Sequence, residues 1–312
     1  MVEAVLTGLR AAAEPTRLRV LAILSKGELA VSELTQILGQ SQPRVSRHLR
    51  LLCEAGLLDR FPEGAWVFYR LASSGLGADL VKCLLDLLPD RDPSLSLDMQ
   101  RLDAVRAGRA DKAQKYFSAH AERWDELNTS LVDRDGVENA MRAAVTDFHA
   151  ADLVDMGTGT GHALTVLSDC VGQATGFDMS LDMLAVARAN LEQAGHRHCM
   201  VRQGDITQLP LGDGVTDCAV IHQVLHYMPD PALVVGEAAR ILKPGGHVLA
   251  VDYAPHGEEW LRDQHAHRRL GFQDEEVHRW FDAHGLIWQG ARRIKGPKLD
   301  VVLWTAQKPV TH

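Results

Sequence analysis

The chain has 312 residues, 46% of them hydrophobic and 24% charged. This is the composition of a soluble globular protein of about two domains, with enough apolar sequence to bury its own cores. No apolar run reaches the roughly 18 residues of a membrane span. The opening stretch carries Glu3, Arg10 and Glu14 and is not a secretory signal. Five scattered cysteines (Cys53, Cys83, Cys170, Cys199, Cys218) form no CxxC pair. They predict neither a disulfide framework nor a zinc site, and they fit a reducing cytoplasm. The net charge of −8 argues against a nucleic-acid partner only when taken whole: residues 1–88 carry +1, residues 89–125 are neutral, and residues 126–312 carry −9.

In chain order, Pro15 opens a helix with Leu18, Val20, Leu21 and Leu24 on it. A short helix over Val31–Leu38 is stopped by Gly39, and a second over Gln42–Ala55, with Val45, Leu49, Leu51 and Leu52 inward, is stopped by Gly56. LLDRF and WVFYRL flank Pro62-Glu63-Gly64-Ala65, the pattern of a β-hairpin. The second helix carries Gln42, Arg44, Ser46, Arg47, His48 and Arg50 and no acid from Ser41 to Leu52, which suits base edges and phosphates in a major groove. Arg60 and Arg70 on the hairpin suit neighbouring phosphates.

EPTRLRVLAIL, ELAVSELTQILGQSQPRVSRHLRLLCEAGLL and DRFPEGAWVFYRL together resemble the ArsR-type winged-helix repressors over nearly all of residues 1–88. The resemblance implies a homodimer on a palindromic operator, with outer helices at about 3–13 and 75–88 as its interface. Metal-sensing members carry two thiolates in an ELCVCDL segment. Here Ala30 and Ser32 replace both, and GLGADLVKCLLDLL lacks a His-rich metal set, so no metal is expected as inducer.

PDRDPSLS marks a boundary, followed by a helical stretch over roughly 97–125 that contains Tyr116, Phe117, His120 and Trp124. From about 152 the chain alternates short apolar runs with amphipathic segments, the signature of βαβ units on a parallel sheet. The first strand runs into Gly157-Thr158-Gly159-Thr160-Gly161-His162. A dinucleotide loop would want its third glycine at His162. GxGxG preceded by Asp155 instead resembles motif I of class I S-adenosylmethionine methyltransferases. In that resemblance Asp178, with Met179 after it, accepts the ribose hydroxyls, Asp205 accepts from the adenine amino group with Ile206 as apolar support, and His222 borders the cofactor. HQVLHY and EAARILKPGGHVLAVDY extend the likeness to small-molecule methyltransferases acting on quinones and similar substrates, over about 112–307, and YFSAHAERWDEL resembles their lid helix.

The expected architecture is therefore α/β: an N-terminal winged helix-turn-helix (1–88), a linker and lid helix (89–125), and a C-terminal Rossmann-like class I methyltransferase domain (126–312). Methyl transfer asks the protein for alignment, water exclusion and sometimes a base. His226 and Tyr253, near the carboxyl ends of the fourth and fifth strands, are the candidates, alongside His222 and His256. No third ligand accompanies His222 and His226, so no metal site is expected there, and His196, His198, His265 and His267 are expected at the surface. No Asn/Asp-Pro-Pro-aromatic cluster follows the fourth strand, so DNA is expected as something read rather than methylated. Two functions follow. One is a DNA-binding repressor whose effector is S-adenosylhomocysteine or S-adenosylmethionine, with methionine-cycle genes as the implied target. The other is an active small-molecule methyltransferase regulated by its winged helix.

Overall fold

The computed structural model describes residues 2–63, 66–72, 75–89, 92–108, 131–265 and 267–310. The chain divides into two compact units, Met1–Asp111 and Lys112–His312.

In the first unit, α1 (Val2–Ala12) and α2 (Pro15–Leu24) precede a two-residue strand β1 (Leu29–Ala30) and the helices α3 (Val31–Leu38) and α4 (Gln42–Glu54). Pro15 sits at the first turn of α2, where a missing N–H costs nothing, and the Glu14 carboxylate accepts from the Arg17 N–H at 2.9 Å. Gly39 ends α3 in the left-handed region at φ 64°, and Gly56 at φ 68° follows α4. Val20, Leu21, Ile23, Leu34, Ile37, Val45, Leu49 and Leu52 form a closed core, whereas Leu51 is only half-buried.

β2 (Leu58–Glu63) and β3 (Trp66–Leu71) pair antiparallel from Leu58 opposite Leu71, and β1 adds to the other edge of β3. Pro62 and Glu63, expected in the turn, lie inside β2. β2 is an edge strand, so the missing Pro62 N–H breaks no ladder. The connection is the two residues 64–65, which fall outside the described residues. α5 (Gly75–Asp86) packs on α1, with Gly8 allowing the close approach to Leu80.

The stretch expected as linker and lid is helical over 93–108 (α6), started by Asp92, whose Oδ1 accepts from the N–H groups of Ser94 and Leu95. α6 packs onto the winged-helix core through Leu102 and Val105. Tyr116, Phe117, His120 and Trp124 lie outside the described residues.

The second unit is a seven-stranded sheet in the order β6-β5-β4-β7-β8-β10-β9. Its strands are β4 (Asp152–Met156), β5 (Gln173–Asp178), β6 (Cys199–Gln203), β7 (Thr216–His222), β8 (Leu242–Tyr253), β9 (Ile287–Ile294) and β10 (Val301–Gln307). The first five in that order run parallel, and β10 runs antiparallel to both neighbours. Helices α7 (Arg134–Asp147), α8 (His162–Leu167), α9 (Leu181–Ala194), α10 (Pro231–Ile241), α11 (Trp260–His265) and α12 (Asp274–Ala283) complete the unit. One apolar cluster centres on Val145, Leu164, Leu184 and Leu303, a second on Phe272, Phe281, Trp304 and Val235. Lys243-Pro244-Gly245-Gly246 bulges between Leu242, which pairs with Thr216, and His247, which pairs with Cys218, and the Lys243 ammonium joins Asp152 (3.0 Å) and Asp217 (2.9 Å) across the bottom of the sheet. The strand order reverses at β4/β7, which opens a crevice at their carboxyl ends.

Candidate functional site

On α4 the inward residues Val45, Leu49 and Leu52 leave Gln42, Arg44, Arg47 and Arg50 exposed, with Ser46 half-buried. His48 turns away from that face: its side chain is 16% exposed and its Nδ1 lies 3.5 Å from the Glu14 carboxylate. Arg60 is exposed on β2, while Arg70 is drawn back by Asp59 (3.3 Å) and stacks over Phe61. Among the described residues Arg44 and Arg47 on this helix have no ion-pair partner, and Arg50 is shared with Glu54 at 3.6 Å. Arg44→Ala or Arg47→Ala is expected to weaken DNA binding by about tenfold or more, and His48→Ala to change it less than about threefold, as read by gel shift at one salt concentration on DNA selected from a random pool. Ala30, where the sensing thiolate would sit, is buried, and its N–H donates to the Glu33 carboxylate at 2.7 Å to cap α3.

In the second unit a cleft of about 800 Å³ lies over the carboxyl ends of β4, β5, β7 and β8. Gly157 and Gly159 line it and, with Gly161, belong to one loop at φ 83°, 53° and 79°. A Cβ at Gly157 would meet Val224 at 2.7 Å and one at Gly161 would meet Ala187 at 3.2 Å, while the space over Gly159 is open. The bare backbone is therefore available to a ligand at that point.

Asp155, at the end of β4, is 1% exposed, and beyond the neighbouring Thr158 hydroxyl no described residue offers its carboxyl a hydrogen bond. Burial pushes its pKa up to about 7 against the Thr158 hydroxyl, which lowers it, and Asp178 adds to the rise. Asp178 ends β5 with Oδ2 accepting from the Gly159 N–H (2.9 Å) and Oδ1 from the Ser180 N–H (2.8 Å), and so ties the glycine loop to the start of α9. These are the features a ligand with an ammonium group and hydroxyls would meet: a buried carboxyl facing no cation among the described residues, an open glycine backbone, and a carboxylate with lone pairs to spare.

The raised pKa gives a pH test. Between the ordinary carboxyl value near 3.9 and about 7, folded Asp155 holds a proton that the unfolded chain has released, so rising pH removes stability. His222 and His267, each pushed down to about 3 chiefly by burial, act with the opposite sign below their ordinary value. The difference between two proteins isolates the carboxyl. Asp155→Asn should gain melting temperature relative to the parent as pH goes from 5 to 8, and a constant gap would contradict the assignment.

The cleft wall brings together Asp155, Gly157, Gly159, Asp178, His222, His226 and Tyr253, and Gly161 lies outside it. It does not include Met179, which is 66% exposed, or Asp205 and Ile206. Asp205 is exposed, and the backbone N–H and hydroxyl of Thr207 bond its carboxylate and hold its pKa low. Ile206 packs in the core beside Phe177 and Leu209.

Sequence reasoning missed three contributors. Arg134 and Glu138 on α7 hold the His162 ring at the cleft, Arg134 Nη2 at 3.1 Å from Nδ1 and the Glu138 carboxylate at 3.1 Å from Nε2. Asp252, fully buried on β8, accepts from His226 Nδ1 at 2.7 Å and from the His226 backbone N–H at 3.2 Å. The only advance signal for Asp252 was an acid inside an otherwise apolar strand.

The expectation of surface histidines is corrected. His267 is 3% exposed with its ring 4.1 Å from that of His226, because the chain after α11 folds back and the N–H groups of Arg268 and Arg269 bond the His226 carbonyl. His265 borders the cleft. His196 and His198 are half-buried and bond the hydroxyl and carbonyl of Ser168.

The winged helix and the glycine-loop sheet define a DNA-binding regulator domain fused to a methyltransferase domain. Residues 14–60 match the bacterial regulatory protein arsR family and residues 154–250 match a methyltransferase domain. The arsenical resistance operon repressor of Escherichia coli K12 is 52% identical over 61 residues, 19% of this chain and 52% of the relative. A demethylmenaquinone methyltransferase from Desulfitobacterium hafniense is 33% identical over 160 residues, 49% of this chain and 63% of the relative. An arsenite methyltransferase from Aquipseudomonas alcaligenes is 34% identical over 155 residues, 40% of this chain and 45% of the relative. This chain thus spans less than two thirds of each of these relatives. Among solved structures, a Galdieria sulphuraria protein described as a sarcosine dimethylglycine methyltransferase superposes with TM-score 0.51 at 16% identity, covering 64% of this chain and 98% of its own, and it shares the fold. Among the described residues no helix is long and apolar enough to cross a membrane.

Proposed function

We propose that the chain is a DNA-binding repressor whose methyltransferase domain takes an S-adenosyl nucleoside, S-adenosylhomocysteine or S-adenosylmethionine, as effector. The observation that carries this reading is the Asp155 carboxyl, buried with no cationic partner among the described residues beside the open backbone of Gly159. A ligand ammonium near it would compensate the charge. Asp178 would take the ribose hydroxyls, and His222 would border the nucleoside. The DNA reader is a homodimer built on α1 and α5, whose Leu6, Leu9 and Leu76 are exposed apolar side chains. Its operator contacts come from Gln42, Arg44, Ser46, Arg47, Arg50 and Arg60. The acidic second unit repels phosphate, so binding depends on the dimer and on salt. A ligand shifts operator affinity only by binding the two states differently. In a gel shift with the full chain, S-adenosylhomocysteine should weaken operator binding more than S-adenosylmethionine does, and no response to either compound would sink the proposal.

A second reading, an active small-molecule methyltransferase, is favoured by the His226–Asp252 pair on the cleft wall. S-adenosylmethionine, when bound, supplies a methyl group already activated on sulfur. The protein's part is then to position an acceptor near His226 and Tyr253 and to receive its proton. Arsenite is a poor candidate for that acceptor, because a soft arsenic centre needs thiolates and no cysteine is among the described residues that line the cleft. Cys199 and Cys218 are buried, and burial raises the pKa of both thiols.

A further inference from the structure

In the first unit, α6 is anchored to the core and reaches the turns around the reading helix. The Asp98 carboxylate takes both Arg19 donors at 2.7 Å, and Leu102 and Val105 are buried beneath the helix. From this anchored helix two guanidinium groups reach backbone carbonyls at turns. Arg101 Nη1 donates to the Ile37 carbonyl at 3.0 Å, and Arg106 Nη2 donates to the Lys26 carbonyl. Ile37 lies in the last turn of α3, whose carbonyls lack donors from their own helix. The N–H groups of Gly39 and Gln40 both go to the Thr35 carbonyl. Arg101 therefore serves a different carbonyl of that end, where the helix dipole favours a cation. The same guanidinium lies against the bare face of Gly39, where a Cβ would stand 3.1 Å from Nη1. Ser41 starts α4 without a side-chain cap bond. The turn between α3 and α4 is thus held by Thr35, by Gln40 Nε2 on the Thr16 hydroxyl at 3.2 Å, and by Arg101.

We infer that Arg101 is a positioning residue for DNA reading: from α6 it fixes the turn between α3 and α4, and with it the angle at which α4 enters the major groove. The second helix of such a pair meets base edges with its N-terminal residues. Gln42 and Arg44 stand in the first turn of α4, directly after Ser41. A small tilt at the turn moves these side chains off their base edges. Contacts to phosphate, made by long flexible cations, tolerate the same tilt, because they set register without reading sequence. Arginine suits the place: its planar fork lies over Gly39 while one N–H bonds the carbonyl, which a single ammonium does not reproduce. The competing role, a direct phosphate contact by Arg101, leaves a different mark. It strengthens binding to every sequence and adds about 0.9 to the salt slope. The role given to Arg101 rests on the first unit reading DNA and is independent of the nucleoside.

The test uses the full chain in gel shifts on two duplexes, one selected from a random pool and one of scrambled sequence. Arg101→Met should lower affinity for the selected duplex by about tenfold, the size of one lost base contact. Affinity for the scrambled duplex should stay within about twofold, so the specificity ratio falls. The slope of log affinity against log salt should stay within about 0.3 of the parent. Loss of folded protein lowers both affinities together and leaves the ratio unmoved, so the ratio separates positioning from a merely structural role. Arg101→Lys keeps a charged donor for the carbonyl without the fork over Gly39, and it should lower the ratio by about threefold. It decides the matter should the methionine variant fail to fold. An unchanged ratio in the folded variant would overturn the role. So would an equal loss on both duplexes with the slope reduced by about 0.9, which would make Arg101 a phosphate contact. A parent chain that selects no sequence from the pool would discard the DNA reader itself and Arg101's role with it.

Discussion

Asp98→Ala should destabilise the winged-helix unit by roughly 3 kcal/mol, the low end of what removing one partner of a buried ion pair costs. Asp98 lies on α6 with no exposed surface, and both its oxygens accept from the Arg19 guanidinium at 2.7 Å. Hydrogen bonding to Asp98 is also the chief reason the Arg19 pKa is raised. Arg19 retains 23% of its side-chain exposure, so water recovers part of its solvation and the upper end of the range is not expected. For a unit of this size that loss lowers the melting transition by about 10–20 °C. The double substitution Arg19→Met with Asp98→Leu should restore most of it, since two apolar groups of similar size leave no stranded charge. A loss below about 1 kcal/mol would show that α6 is not part of the folded reader. The same helix donates from Arg101 to the Ile37 carbonyl at 3.0 Å, at the end of α3. Its contribution therefore reaches the turn that leads into α4.

The winged helix could be read from sequence because its signals are local. Gly39 and Gly56 mark where two helices stop, and acid-free α4 shows its face by spacing alone. The glycine loop and the acids at the ends of β4 and β5 could be read for the same reason: each stands at a strand-to-helix junction a few residues long. What escaped was set by contacts distant in sequence. Asp98 pairs with Arg19 across 79 positions, so α6 reads as a charged connecting helix until the core beneath it is known. Asp252 meets His226 across 26 positions, and nothing in either segment announces the partner. His267 is buried because the chain after α11 returns to His226, and a polar residue buried by a returning loop looks no different in sequence from one on the surface. Asp205 and Met179, by contrast, were assigned by likeness, and their side chains stand outside the cleft wall.

Asp178→Ala is expected to raise the dissociation constant for S-adenosylhomocysteine by about a hundredfold or more. The carboxylate has two parts to play. It fixes the loop through the N–H groups of Gly159 and Ser180, and in the proposed nucleoside complex it would offer its remaining lone pairs to the ribose. Charged hydrogen bonds of this kind each contribute about 1.5–3 kcal/mol, and a hundredfold is about 2.7 kcal/mol. Calorimetry on the folded variant measures the change, and DNA binding without nucleoside should stay within about twofold of the parent. A nucleoside affinity within about fivefold of the parent would mean that neither part is played by Asp178.

On the proposed function, one chain reads DNA with one unit and a nucleoside with the other, and the two binding events are energetically coupled. Calorimetric titration of S-adenosylhomocysteine into the full chain, free and saturated with operator DNA, tests it most directly. Coupling is reciprocal, so a nucleoside that releases DNA must bind the DNA-bound protein more weakly, by about 5–150-fold. A weaker affinity in the presence of operator is the predicted result. Equal affinities in the two titrations would contradict the account.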